Sequence, residues 1–158
     1  MVNRTESKVI LANPEDISQI LGLLKLRHNE DGIGEFNEPL VRNYVSRGVR
    51  GILAVVGVIK GSRNNVEATA GIYMDAPWYS SEPLLEERWL FVHPDHRRSE
   101  HAKSLIAFAK MGAVILKQRL VVTAISNPIT EPRVKLLERN LPKSGLVFVF
   151  DGNIDSAV

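Results

Sequence analysis

The sequence predicts a single α/β domain spanning residues 1–158. Three observations lead there: a length of 158 residues, a composition 44% hydrophobic and 24% charged, and short apolar β-branched runs that alternate with longer stripes of helical period. A chain of this length buries roughly two-thirds of its unfolded surface around one core. The composition excludes disordered, collagen-like and low-complexity chains.

Val9–Ala12 reads as a short strand. Asn13-Pro14-Glu15-Asp16 then supplies a cap, a proline at the first helical position and an acid in the first turn, so a helix opens there. Ile17, Ile20, Leu21 and Leu24 keep its period as far as His28. Asn29 to Pro39, with three glycine or proline residues and four acids, reads as a polar loop. Leu40 to Val45 reads as a second, short helix stopped near Gly48. Gly51–Ile59 and Val66–Met74 are apolar strands around the turn Lys60–Asn65, which makes a hairpin. After the loop Ala76–Pro83, Leu84–Val92 is a strand that ends at His93-Pro94. From Ser99, the residues Ala102, Leu105, Ile106, Ala109, Ala113 and Leu116 trace the stripe of the longest helix, with Lys103, Lys110 and Lys117 on its wet side. Leu120–Ile125 is a strand, Thr130-Glu131-Pro132 opens a helix through Asn140, and Gly145–Phe150 is a last strand. No internal repeat or linker interrupts this order.

Zero cysteines exclude disulfides, thiolate zinc sites, iron–sulfur clusters and a cysteine nucleophile. Twenty Lys and Arg against eighteen Asp and Glu leave a net charge of +2, so the sequence pI near 9.0 reflects a slim excess and does not imply nucleic-acid binding. Met1–Ser7 is polar, and no stretch approaches the roughly 18 apolar residues of a membrane span, so a cytoplasmic protein without membrane contact is expected.

Three groups of residues carry chemistry. The first is the junction from Leu90 through Ala102, where a strand runs through a basic turn into a long helix. The open N–H groups of a helix start, the positive end of its dipole, and Arg97-Arg98 together favour a multiply charged anion such as phosphate; the plainer reading is a solvated basic turn. The second is His93, His96 and His101 with Asp95 between them. Their spacing matches no helix-borne ligand pair, so no metal is expected and the histidines read as structural or surface residues. The third is Glu86-Glu87 within a strand. Neighbours on a strand face opposite ways, so one of the two points inward, unless both are solvated on an edge. Gly32-Ile33-Gly34 lacks the third glycine of a dinucleotide fingerprint, and no Gly-x-Ser-x-Gly elbow exists. Trp78 and Tyr79 are either a substrate wall or lids over the core.

The element order and the junction together resemble the GNAT superfamily of N-acetyltransferases over nearly the whole chain. The family pattern Val-x-Pro, then Arg/Gln-x-x-Gly-x-Gly/Ala, matches Val92-His93-Pro94 followed by Arg97, Arg98, Ser99, Glu100, His101 and Ala102, with Glu100 in place of a glycine. The resemblance implies a mixed, mostly antiparallel central sheet splayed in the middle and flanked by about four helices. It implies acetyl-coenzyme A as co-substrate, bound by Phe91 and Val92 along its pantetheine arm and by Arg97 to Lys103 at its pyrophosphate, with Asn127 as a further contact. The family's Leu-Tyr-Glu-Lys-x-Gly-Phe pattern falls on Leu136-Leu137-Glu138-Arg139-Asn140, with Leu137 where many members have a tyrosine acid.

Acetyl transfer to an amine by direct attack is the implied reaction. Glu86 or Glu87 is the candidate base, because some members carry a glutamate on this strand. Glu30, Asp31 and Glu35 in the acidic loop, with Trp78 and Tyr79, would bound a small-molecule or peptide amine. A non-catalytic coenzyme A-binding protein is the alternative, prompted by Glu100 and Leu137, and a nucleic-acid-binding domain rests on the pI and Arg97-Arg98 alone. The oligomer stays open, with a homodimer among the states the sequence allows.

Overall fold

The computed structural model describes residues 7–124 and 127–145. The chain divides after Val122 into two compact units. The first contains β1 (Ile10–Leu11), α1 (Ile17–Asp31), α2 (Glu38–Val49), β2 (Ala54–Lys60), β3 (Val66–Asp75), β4 (Leu84–Val92), α3 (His101–Leu116) and β5 (Leu120–Val121); the second contains α4 (Glu131–Asn140). The five strands form one sheet in sequence order, antiparallel at every step except β4–β5, which is parallel across the α3 crossover. No helix among the described residues is long and apolar enough to cross a membrane.

Side-chain alternation along the strands feeds two cores. Ile20, Leu21 and Leu24 of α1 and Val45 of α2 pack with Val56, Val58, Tyr73, Trp89 and Phe91 on one face of the sheet. On the other face, Ala109 of α3, with Phe108 and Ala113 beside it, meets Ile72 and Leu85. Two glycines permit this closeness. A Cβ at Gly57 would stand 2.9 Å from the Phe108 ring, and one at Gly71 would stand 2.4 Å from the Trp89 indole. The indole Nε1 donates to Thr69 Oγ1 at 3.2 Å, and that hydroxyl donates to the Gly57 carbonyl at 3.0 Å, so the buried polar atoms of this core are bonded in series across three strands.

The helix start expected at Asn13 is present as a single 3₁₀ turn, Pro14–Asp16, that leads into α1. Asn13 Oδ1 accepts from Glu15 N–H, and the Asn13 N–H donates to Asp16. The buried Asp16 carboxylate also meets Lys60 Nζ at 2.6 Å, which ties the start of α1 to the end of β2.

Some expected boundaries move. α1 continues to Asp31, because nothing breaks its period before Gly32, so Glu30 and Asp31 belong to its last turn and not to the loop. α2 is twice the expected length and opens at Glu38, where Asn37 caps the Leu40 N–H at 3.0 Å and Pro39 sits in the first turn. β2 begins at Ala54 and not at Gly51, because Gly51 and Leu53 take left-handed backbone angles of +71° and +49°. α3 begins at His101, two residues after Ser99, and β5 ends at Val121. The expected last strand lies, beyond Gly145, outside the described residues, as do Ile125 and Ser126.

One irregularity interrupts the pairing of β3 with β4. Ile72 pairs with Glu87 and Gly71 with Trp89, so Arg88 is an extra residue in β4, a β-bulge. The side-chain alternation reverses there: Leu85 and Glu87 face α3, whereas Trp89 and Phe91 face α1 and α2. The Arg88 carbonyl accepts from Arg27 Nη1 of α1 at 2.7 Å, which satisfies a group that the ladder leaves out.

Candidate functional site

The sheet opens at β4. Its ladder to β5 consists of Leu85↔Leu120 and Glu86↔Val121 and does not continue in the described residues. On its other side β4 stays paired with β3 as far as Val92, where the His93 N–H donates to the Glu67 carbonyl at 2.8 Å. Backbone groups alternate in direction along a strand, so Phe91, in step with His93, points its N–H and C=O toward β3, and Leu90 and Val92 point theirs to the opposite edge. The contact between the Val92 carbonyl and Arg97 Nε, 3.4 Å, lies on that outer edge. Phe91 was expected to offer backbone to an extended ligand arm beside Val92; the register gives that place to Leu90. The buried Phe91 ring instead supports the Arg97 guanidinium, 5.3 Å from its centroid.

Past Val92, the chain makes a 3₁₀ turn, Pro94–His96, and reaches the first turn of α3. Ser104 is the first residue to close on Glu100, with N–H to carbonyl at 3.0 Å, so Ala102 and Lys103 present N–H groups that have no carbonyl one turn back. Ser99 Oγ accepts from the His101 N–H and donates to the His96 carbonyl, which stiffens the turn. Arg97 is bound to Glu30 at the end of α1. Arg98 is exposed and forms no ion pair among the described residues. Glu100 sits at φ −84°, ψ 6°, a backbone open to any L-residue, so this position does not demand the glycine of the family pattern. Its carboxylate lies 2.9 Å from Lys103 Nζ, which offsets the negative charge at a helix end that attracts anions.

At the point where β4 and β5 part, the paired acids separate by burial. Glu87, opposite Ile72 on the α3 face, is 5% exposed. Glu86, opposite Tyr73 on the other face, keeps 32% of its side chain exposed and lies 3.1 Å from Arg88 Nη2, which also reaches Asp75 at 3.3 Å. Below Glu86 the Tyr73 hydroxyl donates to the Tyr44 carbonyl of α2, and burial pushes the phenol's pKa up, beyond its ordinary range.

No family model matches the chain, and no curated protein does. Solved structures do. An aminoglycoside 6'-N-acetyltransferase from Acinetobacter baumannii, 14% identical, covers 93% of this chain and 98% of its own at a TM-score of 0.70. A ribosomal-protein-alanine N-acetyltransferase from Brucella melitensis biovar Abortus 2308, 20% identical, covers 90% and 99% at 0.64. A Trypanosoma brucei acetyltransferase, 12% identical, covers 91% and 98% at 0.65. This chain has the GNAT acetyltransferase fold. The α/β class and the mostly antiparallel sheet expected from the sequence are those of the molecule.

Within the GNAT fold the remaining expected site residues divide. Trp78 and Tyr79 pack edge to face at 5.5 Å and are 96% and 74% exposed, which rules out lids over the core. Glu35 is exposed, whereas Glu30 and Asp31, expected beside it in an acidic loop, stand in the last turn of α1 and face arginines, Asp31 meeting Arg27 at 3.8 Å. In the second unit Asn127 Oδ1 accepts from the N–H groups of Ile129 and Thr130, both at 2.9 Å, which makes it a turn former ahead of α4. Leu137 is half-buried on α4. The sequence did not single out Arg27 or Glu67, nor the outward direction of the Leu90 backbone within the junction, since each depends on pairing with residues distant in sequence. Glu67 lies against two of the three histidines, with its Oε2 2.8 Å from His101 Nε2 and 3.5 Å from His96 Nδ1.

Proposed function

We propose that this chain is an N-acetyltransferase that moves acetyl from acetyl-coenzyme A to an amine by direct attack, with Glu86 as general base. One observation carries the reading: an outer strand edge at Leu90 and Val92 that runs straight into the open first turn of α3, in a fold whose solved relatives are acetyltransferases. The residues suit the coenzyme. The outward amides of β4 match an extended arm that carries amides of its own, as in strand addition. The Ala102 and Lys103 N–H groups, the Lys103 ammonium and the exposed Arg98 match a pyrophosphate. When bound, the coenzyme supplies a thioester carbonyl.

The chain's own part is positioning and proton removal. A cationic amine must lose a proton before attack, and the base must lie within hydrogen-bond reach. Glu86 meets that requirement better than Glu87, being accessible and oriented by Arg88, whereas Glu87 is enclosed. Trp78, Tyr79 and Glu35 are the proposed walls for a small-molecule or peptide amine. Leu137 offers no proton, so in this reading the departing thiolate is protonated by solvent. A coenzyme A-binding protein without catalysis is the second reading, favoured by Glu100 and Leu137.

Consumption of the thioester across a panel of amines separates the two readings. The proposal expects turnover with at least one amine and a roughly 10²-fold fall in kcat/KM at neutral pH for Glu86→Gln, with coenzyme binding retained. Glu87→Gln is expected to lower the melting temperature and to leave kcat/KM within a few-fold. Loss of activity in Glu87→Gln at an unchanged melting temperature would transfer the base to Glu87. Coenzyme binding without turnover of any amine would favour the second reading.

A further inference from the structure

Glu67 of β3, His96 of the 3₁₀ turn and His101 of α3 each offer one ligand atom, and the three atoms lie within 4.8 Å of one another. We propose that they form a site for a divalent transition metal of the zinc class. A tetrahedral zinc with imidazole and carboxylate ligands at about 2.1 Å sets neighbouring ligand atoms about 3.4 Å apart. Two edges of the triangle bracket that spacing, 2.8 Å from Glu67 Oε2 to His101 Nε2 and 3.5 Å from Glu67 Oε2 to His96 Nδ1.

The surroundings are those of a metal ligand set. His101 is buried, and its Nδ1 meets Ser7 Oγ at 2.7 Å, an outer partner of the kind that fixes a ligating imidazole and directs its other nitrogen inward. The second carboxylate oxygen of Glu67 lies against Gly61 of the β2–β3 turn, where a Cβ would stand 2.0 Å from it, so Gly61 leaves room for the carboxylate. The rings of His96 and His101 stack at 6.0 Å. His96 is the outermost ligand, 35% exposed, and leaves the fourth position to water. Nitrogen and oxygen donors without thiolate suit Zn²⁺, Co²⁺ or Ni²⁺ better than Ca²⁺ or Mg²⁺. His93 stays outside the set, with its Nδ1 taking the Asp95 N–H.

A bound ion would join β3 to the start of α3 and so hold the turn that carries Arg97 and Arg98. The ligand atoms are separate from those of the transferase reading, since none lies on the outer edge of β4, and metal binding is measured without any acetyl donor. Without a metal the same atoms make a hydrogen-bond chain, with Ser7 O–H donating to Nδ1 and Nε2–H to Glu67.

The test uses the full chain without an affinity tag, stripped with a chelator and titrated with Zn²⁺ by calorimetry and with Co²⁺ by visible absorption. The proposal expects one ion per chain with Kd below about 10 µM and the absorption bands of tetrahedral Co²⁺. His96→Ala and Glu67→Gln should each raise Kd by more than the 10- to 100-fold typical of losing an outer partner. His28→Ala, which removes a histidine outside the ligand set, should leave Kd unchanged; its Nε2 lies 3.0 Å from the Gly34 carbonyl. His96→Ala lies in an exposed turn, and its far-ultraviolet circular dichroism should match the parent. Absence of saturable binding below about 10 µM, or a Kd unmoved by both ligand substitutions, overturns the proposal.

Discussion

Tyr73 holds its proton because the sheet and α2 enclose its ring, with Tyr44 edge-on at 5.9 Å and Trp89 at 5.7 Å, and because the Tyr44 carbonyl takes its hydrogen bond. Gly48 permits the approach, since a Cβ there would lie 2.7 Å from the hydroxyl. Burial is the larger influence and raises the pKa; the charges of Arg47 and Arg88 pull it down by less. The folded chain therefore binds this proton more tightly than the unfolded chain. The resulting stability is complete below the ordinary phenol pKa of 10.0 and is lost as the pH climbs above it. Tyr73→Phe should cost about 1–2 kcal/mol near neutrality, by leaving the Tyr44 carbonyl without its donor. Between pH ~9 and ~11 the variant should lose less stability than the parent, as read by urea unfolding at several pH values. Parallel pH slopes would show that the phenol does not carry this linkage. At the same scale the two arginines part company. Arg97 is engaged by Glu30, the Val92 carbonyl and the Phe91 ring, so Arg97→Glu should destabilise the unliganded protein, whereas Arg98→Glu should leave its melting temperature within about 1 °C.

Among the elements, β4 combines the most legible boundaries with the least legible interior. Leu84–Val92 was readable because the loop Ala76–Pro83 and Pro94 bracket nine residues of strand character. The bulge at Arg88 was not readable, since it exists only in the pairing of β4 with β3, and it determines which carboxylate is enclosed and which backbone groups reach the outer edge. The expectation that Glu86 and Glu87 differ in orientation rested on strand alternation alone and needed no knowledge of the bulge, which lies one residue further on. The turn ahead of α3 was legible as a strand, a basic turn and a helix start; the Arg97–Glu30 pair was not, because it joins residues whose separation in sequence carries no local signal. Arg27 makes the bulge testable. Arg27→Met removes the donor to the Arg88 carbonyl and the contact with Asp31, and should cost about 1–2 kcal/mol, a fall of several degrees in melting temperature. Faster amide exchange at residues 88–90 should accompany it; unchanged exchange there would mean that the bulge holds without α1.

For the whole molecule, composition and periodicity were enough to mark the helices and strands of an α/β chain, since each apolar stripe must find a face to cover; that α1 and α2 share one face of the sheet and α3 takes the other is seen only in the packing. The parallel step at β5 follows from the α3 crossover, but its shortness does not: Leu120–Val121 pairs only with Leu85 and Glu86, and the open edge beyond them is where the proposed coenzyme arm lies. Calorimetric titration of acetyl-coenzyme A, paired with thermal unfolding, tests that claim most directly. The account predicts one site per chain, a melting temperature several degrees higher at 100-fold excess over Kd, where binding adds about 2.7 kcal/mol, and affinity lost in Arg98→Glu with its unliganded stability intact. No binding heat and no thermal shift at millimolar acetyl-coenzyme A, or equal affinity in Arg98→Glu, would contradict it.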